Sequence, residues 1–142
     1  SNGNDIASAL QMGADLAYMG TRFINVNESM ADNSYQKMIM DSKAEDIIYT
    51  AAVSGVNASF LRPSLEAMGI TEDLWKKTKK IDFGSELDHA KEEAKAWKTI
   101  WSAGQGVTSI SDVKPTAELI SQLKEEFEKA LLKQKENYKY FF

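Results

Sequence analysis

The feature that most constrains the fold is a four-residue apolar run, Leu16–Met19, set between two turn-forming segments. Gly13–Asp15 forms a corner before the run, and Gly20-Thr21 follows it. The absence of polar alternation is typical of a strand that is buried on both faces. Backbone N–H and C=O groups of one strand cannot pair with each other, so such a strand needs neighbours. The run therefore predicts an α/β fold in which partner strands come from elsewhere in the protein or from another copy.

Gly20 and Thr21 stand at the carboxyl end of this predicted strand. Ligands bind at that end of strands in open or closed parallel sheets. Glycine lets the backbone approach a phosphate closely, and threonine offers both an N–H and a hydroxyl donor. The same pair is also typical of a simple turn out of the core. From spacing alone, that simpler interpretation is favoured.

Composition limits the class of protein. The chain has 142 residues, enough for one domain with a sizeable core but fewer than the roughly 250 of a typical TIM barrel. A net charge of −4 argues against a nucleic-acid surface, and the lack of cysteine excludes disulfides and thiolate chemistry. No apolar run approaches the roughly 18 residues of a membrane span. These properties suit a cytoplasmic enzyme with neither membrane nor nucleic-acid partners.

Apolar periodicity and capping residues predict a mostly helical chain. A first helix is expected from an Asn4 cap to Gly13, where a left-handed glycine can end it. The last helix is expected from about Pro115 to Asn137, with Glu125 and Lys129 paired on its exposed side. Its predicted buried stripe is Ile120, Leu123, Phe127 and Leu131. Further helices are predicted at about 34–42, 63–69, 71–80 and 85–103.

Two or three short strands complete the prediction. Asp46–Val53 is rich in β-branched and aromatic residues, which favours a strand. Residues 58–61 follow a Ser-Gly turn and are expected to be extended. Residues 107–110 are expected to form a further short extended segment.

Three blocks of the sequence resemble one enzyme family. Asp5–Phe23 resembles the seventh helix and eighth strand of the nitronate monooxygenase family, formerly called 2-nitropropane dioxygenases. Trp101–Val107 resembles the family's Ala-Gly-Gln-Gly segment. Ser54–Ala58 and Leu61-Arg62 are similar to its Ser-Gly-Arg-Pro-Ala and Leu-Arg regions. The blocks occur in the family's order, and the family consists of FMN-dependent TIM (β/α)8 barrels. The resemblance implies a C-terminal fragment of such a barrel, cut after the seventh strand.

The resemblance also implies a division of the chain. Residues 1–32 correspond to the seventh helix, the eighth barrel strand and the following loop. Residues 33–110 correspond to an excursion that covers the flavin site, and residues 111–142 to a C-terminal helix and tail. The implied partners are the missing N-terminal barrel part or another copy of the chain.

FMN is the implied cofactor, and its phosphate is the first candidate ligand. The resemblance implies that Gly20 and Thr21 cradle this phosphate at the end of the eighth strand. Tyr18 and Met19 are the implied neighbours of the cofactor. The family often has glutamine at the position of Tyr18.

Gly104, Gln105 and Gly106 form the second candidate site. The resemblance implies a loop over the flavin ring, with the Gln105 amide directed to substrate or flavin. The alternative is a helix-ending glycine followed by a turn. The family frequently has glycine where this chain has Thr108, which changes the backbone freedom of the loop.

No catalytic residue or metal site is expected in this segment. His89, the one histidine, lies in a charged helical stretch and is interpreted as a solvated surface residue. The family's catalytic histidine lies upstream of the matching region. One histidine without cysteine does not make a transition-metal site. Trp97 and Trp101 are interpreted as core residues.

The implied parent enzyme oxidises alkyl nitronates with O2 to a carbonyl compound and nitrite, and this segment alone is expected to be inactive. Two alternatives stay open. One is an FMN-dependent enoyl-thioester reductase of the same superfamily. The other is a non-enzymatic interaction module built from the amphipathic helices and the aromatic tail, residues 138–142.

Overall fold

The computed structural model describes residues 1–76 and 99–141, and the chain divides into two compact units. The first unit comprises Ser1–Ala31 with Ser109–Phe142, and the second comprises Asp32–Thr108. The helices are α1 (Gly3–Gln11), α2 (Thr21–Ile24), α3 (Asn33–Asp41), α4 (Arg62–Ala67), α5 (Glu72–Trp75) and α6 (Thr116–Tyr138). The strands are β1 (Ile47–Thr50) and β2 (Ala58–Leu61), and 3-10 turns lie at Ala44–Asp46 and Gln105–Ser109. The prediction of a mostly helical chain with two or three short strands is confirmed for the described residues, which contain two strands.

Helix α1 begins two residues earlier than predicted. Asn2, rather than Asn4, is the capping residue, because its side chain accepts a hydrogen bond from the Asp5 amide at 3.0 Å. Asp5 returns the bond by accepting from the Asn2 amide at 3.0 Å, which completes a capping box. The other end is as predicted: Gly13 has a φ of +97°, the left-handed conformation that glycine adopts at helix ends.

Helix α1 lies along α6 at very short range in the first unit. Gly3 is buried, and a Cβ placed on it would stand 2.4 Å from both the Leu123 carbonyl oxygen and the Phe127 nitrogen. Gly3 donates its amide hydrogen to Glu126 Oε2 at 2.7 Å. Gln11 donates to Gln134 near the other end of α1. The missing side chain at Gly3 therefore permits the close approach of the two helices.

The buried stripe of α6 differs from the predicted one. Leu119 and Leu123 are buried and pack with Val26, whereas Ile120 is 37% exposed and Leu131 is 41% exposed. Val26 determines which side of α6 faces the interior. It lies near the start of this helix because it forms an isolated β-bridge with Lys114. The predicted Glu125–Lys129 pair is confirmed, with a separation of 2.6 Å.

The predicted buried strand at Leu16–Met19 is wrong as a local structure. These residues have no regular secondary structure and belong to no strand, and Leu16 is 87% exposed. The reason is the lack of a neighbouring strand. Within the described residues no strand lies beside this run, so its N–H and C=O groups cannot form the hydrogen bonds of a sheet.

The second unit is built around an antiparallel hairpin. β1 pairs with β2 in a register that sets Ile47 opposite Leu61 and Thr50 opposite Ala58. β1 ends earlier than the predicted Val53, because the chain turns inward after Thr50 and buries Ala52 and Val53 completely. The core of this unit consists of buried apolar residues from the hairpin and the helices: Ala52, Val53, Phe60, Leu65, Ile70 and Ile100.

The predicted extended segment at residues 107–110 is also wrong. Gln105–Ser109 is a 3-10 turn, which places Val107 in the interior with 1% of its surface exposed. The segment forms a turn instead of a strand because the turn buries the Val107 side chain. The predicted helix at 85–103 falls largely on residues 77–98, so His89 and Trp97 lie outside the described residues.

Candidate functional site

The first candidate site lies where residues 16–19 lead into helix α2. Gly20 occupies the N-cap position of α2, with φ −101° and ψ −65°, and its carbonyl accepts a hydrogen bond from Phe23 at 3.0 Å. An added Cβ on Gly20 would meet no atom within 4 Å. The backbone at Gly20 is therefore open to a ligand, and Thr21 follows as the first residue of the helix.

The residues before Gly20 differ in their surroundings. Ala17 and Met19 line an apolar groove, whereas Leu16 and Tyr18 are 87% and 98% exposed. Met19 is half-buried and Tyr18 is exposed, although they were predicted together as neighbours of one cofactor.

The apolar groove has a volume of about 370 Å³ and lies within the first unit. Helices α1, α2 and α6 contribute its walls through Ile6, Phe23 and Phe127, and Lys124 also lines it. Met19 and Phe23 also pack against the buried cluster of Val26, Leu119 and Leu123. This packing attaches the end of the 16–19 run to the first unit.

Arg22 fixes α2 and is not directed at the candidate ligand position. Its side chain is 4% exposed, and Nη2 forms an ion pair with Asp112 Oδ1 at 2.6 Å. Nη1 donates to the Asn25 carbonyl at 3.1 Å and to the Asp112 carbonyl at 3.3 Å. A guanidinium with these partners stabilises the turn after α2. The sequence analysis missed this residue because its acceptor is 90 positions away in the chain.

Asp112 joins two cations. Lys114 Nζ lies 2.9 Å from Asp112 Oδ2, and Arg22 contacts the other carboxylate oxygen. Partial burial by itself raises the pKa of Asp112, but hydrogen bonds and charges from Lys114 and Arg22 outweigh it, and the pKa is lowered. The carboxylate is therefore ionised at neutral pH, and it connects α2 to the segment before α6.

A second carboxylate stabilises the start of α6. Pro115 stands at the N-cap and has no side-chain donor or acceptor, but Glu28 accepts from the Thr116 amide at 2.9 Å and from its hydroxyl at 2.7 Å. These hydrogen bonds lower the pKa of Glu28. Glu28 thus satisfies a helix N-terminus from a distant position.

The second candidate site, Gly104–Gly106, lies in the second unit and is a turn rather than an open loop. Val107 donates its amide hydrogen to the Gly104 carbonyl at 3.2 Å, which closes the turn. Gln105 is exposed, and Gly104 and Gly106 are half-buried. The side-chain amide of Gln105 can therefore reach a ligand from a short, closed turn.

The candidate residues fall in different units. Tyr18, Met19, Gly20 and Thr21 are consecutive in the first unit, and Gly104–Gly106 lies in the second. In residues 1–76 and 99–141 there is no group of three or more His, Cys, Asp or Glu side chains that could hold a metal ion. The same ranges contain no helix that is both long and apolar enough to cross a membrane.

Comparison with known proteins adds a family match. The sequence model described as Nitronate monooxygenase matches residues 1–126. A curated relative, a nitronate monooxygenase of Paraburkholderia phytofirmans, is 27% identical over 136 residues. The alignment covers 92% of this chain and 36% of the relative.

Solved structures give the fold. FabK (M276A) of Thermotoga maritima superposes with a TM-score of 0.70 and 26% identity, covering 96% of this chain and 42% of FabK. Nitroalkane oxidase from Streptomyces ansochromogenes superposes with a TM-score of 0.67 and 26% identity, covering 94% of this chain and 38% of the oxidase. These neighbours are TIM barrels, so the predicted fold class, part of an α/β TIM barrel, is confirmed. The chain spans less than half the length of the relatives that it matches.

Proposed function

Because the chain belongs to the nitronate monooxygenase family, we propose that the protein containing it is an FMN-dependent nitronate monooxygenase. Its substrates are alkyl nitronates and O2, and its products are a carbonyl compound and nitrite. The observation that carries the proposal is the family match over residues 1–126, which includes both candidate sites. Fold similarity alone does not choose the reaction, because the similar structures include FabK as well as a nitroalkane oxidase.

The residues that follow the 16–19 run fit part of a phosphate site. Gly20 leaves the backbone open, since an added Cβ meets nothing within 4 Å, and Thr21 brings a hydroxyl beside it. TIM barrels often hold phosphates near their last two strands. We therefore assign Gly20 and Thr21 to the FMN phosphate, with Tyr18 and Met19 as neighbours. Arg22 supplies no direct charge to this site, because its guanidinium is held by Asp112.

When bound, the flavin supplies the electron transfer, and the protein supplies position and surroundings. Gly20 and Thr21 orient the cofactor from its phosphate end. Gln105, exposed on its closed turn, presents an amide that can donate and accept hydrogen bonds to substrate or flavin. No residue of this segment is assigned as the catalytic base.

The rest of the barrel is the proposed partner of residues 16–19. Leu16 and Tyr18 are almost fully exposed, and the backbone of this run forms no ladder in the described residues. An adjacent barrel strand satisfies both needs, because it pairs the backbone and covers the apolar side chains. A second copy of the chain is the alternative occupant. A cytoplasmic location stays a prediction from composition.

The function is tested with the full-length protein purified with its bound flavin. We expect oxygen uptake that depends on added alkyl nitronate, with nitrite as a product. Oxidation of NAD(P)H that depends on an enoyl thioester, without nitronate-dependent oxygen uptake, would instead establish the reductase. A colourless protein that does not take up FMN would favour the non-enzymatic interaction module.

The phosphate assignment has its own test. Gly20→Val places a branched side chain in the space assigned to the phosphate, so we expect weaker FMN binding by the full-length protein. Ser8→Val is a matched control, because Ser8 is an exposed residue of α1 outside the site. Equal FMN dissociation constants for the two variants would contradict the assignment of Gly20.

A further inference from the structure

Tyr35, on helix α3, makes two contacts with the segment that leads to Gly104. Its ring stacks on the Trp101 indole, with centroids 4.9 Å apart and planes inclined by 15°. Its hydroxyl donates a hydrogen bond to the Ser102 carbonyl, 67 positions further along the chain. One side chain therefore holds both a side chain and a backbone carbonyl of residues 101–102.

The segment 101–103 lies beside β2 and is fixed there by backbone hydrogen bonds. The Trp101 carbonyl accepts from the Leu61 amide at 2.8 Å, and the Ala103 amide donates to the Ser59 carbonyl at 3.3 Å. Buried Ser64 adds a third link, because its Oγ accepts from the Trp101 amide at 3.0 Å. The segment thus behaves as a short additional strand, with Ser102 bridged to Phe60.

The turn at Gly104–Gly106 is consequently held from both sides. It begins directly after Ala103, which is 6% exposed, and it ends at Val107, which is 1% exposed. The Val107 amide closes the turn on the Gly104 carbonyl at 3.2 Å. Gln105 is the exposed residue between these buried anchors, so a shift at Ser102 is transmitted to it through only two residues.

We infer that Tyr35 is a positioning residue, which sets the location of the Gln105 amide through its contacts with Trp101 and Ser102. The inference rests on the proposed function, in which Gln105 meets substrate or flavin. Tyr35 does not touch the reacting groups itself. Its contribution is the placement of the turn that carries Gln105.

The chemistry of the hydroxyl agrees with this assignment. Burial raises the pKa of Tyr35, while the hydrogen bond to Ser102 opposes that change only in part. The phenol therefore stays protonated at neutral pH and can act as a permanent donor to the carbonyl. The Ser102 carbonyl oxygen can only accept a hydrogen bond, so an ionised tyrosine, which has no O–H group, could not make this contact.

The test uses the full-length flavoenzyme and a double-mutant cycle. Tyr35→Phe removes the hydrogen bond and keeps the stacked ring, and Gln105→Ala removes the amide. A typical hydrogen bond is worth a factor of about two to ten, so we expect Tyr35→Phe to lower kcat/KM by about that factor. In the Gln105→Ala background we expect the same change to have almost no effect, because the group that Tyr35 positions is already gone.

The control is Tyr49→Phe, which removes a hydroxyl from an exposed tyrosine of β1 in the same unit. It is expected to leave kcat/KM unchanged in both backgrounds. Trp101→Phe alters the ring on which Tyr35 stacks, and its effect on kcat/KM should likewise disappear in the Gln105→Ala background. If Tyr35→Phe does not fold, this second variant tests whether the contact acts through Gln105.

The outcomes separate two failures. Equal losses from Tyr35→Phe with and without Gln105 overturn the inference, because they show that Tyr35 does not act through that amide. An unchanged kcat/KM for Tyr35→Phe in the wild-type background overturns it as well. A Gln105→Ala enzyme with unchanged kcat/KM overturns the proposed use of the turn and, with it, this inference.

Discussion

The close approach of α1 to α6 at Gly3 gives a sharp test of the packing in the first unit. Gly3→Ala adds one methyl group to α1 where it faces α6. The new Cβ would stand 2.4 Å from the Leu123 carbonyl oxygen and 2.5 Å from Glu126 Cβ. Ordinary contacts are longer by about 1 Å. Because the atoms in the way belong largely to the backbone of a long helix, the helices must separate.

Three effects set the expected loss of stability. Overpacking of a close contact costs about 1–3 kcal/mol. Separation also lengthens the hydrogen bond from the Gly3 amide to Glu126, now 2.7 Å, and a bond to a charged group is worth about 1.5–3 kcal/mol. Alanine recovers about 0.4–1 kcal/mol by restricting the unfolded chain. The free energy of unfolding should therefore fall by about 2–5 kcal/mol.

Urea unfolding of the chain followed by far-UV circular dichroism measures this change, because α1 and α6 supply helical signal. Gly20→Ala is the matched control. It makes the same substitution in the same unit, at a site where the new Cβ meets nothing within 4 Å and φ is −101°. Tryptophan fluorescence provides an internal reference, because all three tryptophans, Trp75, Trp97 and Trp101, belong to the second unit.

The expected result is a large decrease of the dichroism midpoint for Gly3→Ala and little change for Gly20→Ala. Equal midpoints for the two variants would refute the reasoning, because they would show that α1 does not need the missing side chain to approach α6. A decrease for Gly20→Ala alone would refute it as well. If only the midpoint of the fluorescence transition changed, the perturbation would lie in the second unit, which would also contradict the reasoning.

Three further predictions follow from buried or ion-paired groups. The lowered pKa of Asp112 means that its stabilising contribution is present above the ordinary value of 3.8 and is lost as pH falls through the lowered pKa; Asp112→Asn should lower stability at neutral pH and flatten the acid side of the stability profile. Glu28→Ala should speed hydrogen exchange at the Thr116 amide, whereas Glu28→Gln, which keeps an acceptor, should speed it less; equal rates in wild type and Glu28→Ala would contradict the capping contact. Leu65→Ala should remove about 2–5 kcal/mol from the free energy of unfolding measured by tryptophan fluorescence, because Leu65 is completely buried; a loss below 1 kcal/mol would argue against its place in the core.

Local signals in the sequence were sufficient for most of the helices, although they placed the N-cap of α1 two residues too late and did not indicate the short helix α2. The positive φ of Gly13 and Gly69 agrees with their predicted positions after helices, since few other residues tolerate that conformation. Helix α6 begins and ends within one residue of its predicted bounds. Periodicity failed for the apolar run at Leu16–Met19. Its composition indicates a buried strand, but pairing depends on a neighbour that the described residues do not contain.

The candidate sites divide in the same way. Gly20, Thr21 and Gln105 are candidates that the resemblance to the family implied, and their roles stay predictions. Arg22 and Tyr35 could not be found from short motifs, because their partners lie far away in the chain.

The sequence by itself determined most of the helical segments, the turn glycines and the family, because each of these depends on residues within a few positions or on a matched motif. Only the tertiary structure decided that Gly3 is a contact point, that Arg22 is held by Asp112, and that Tyr35 reaches Ser102. The physical reason is one of distance. Propensity and capping act along the chain within about one helical turn, whereas packing, ion pairing and burial act through space between residues that the sequence keeps apart.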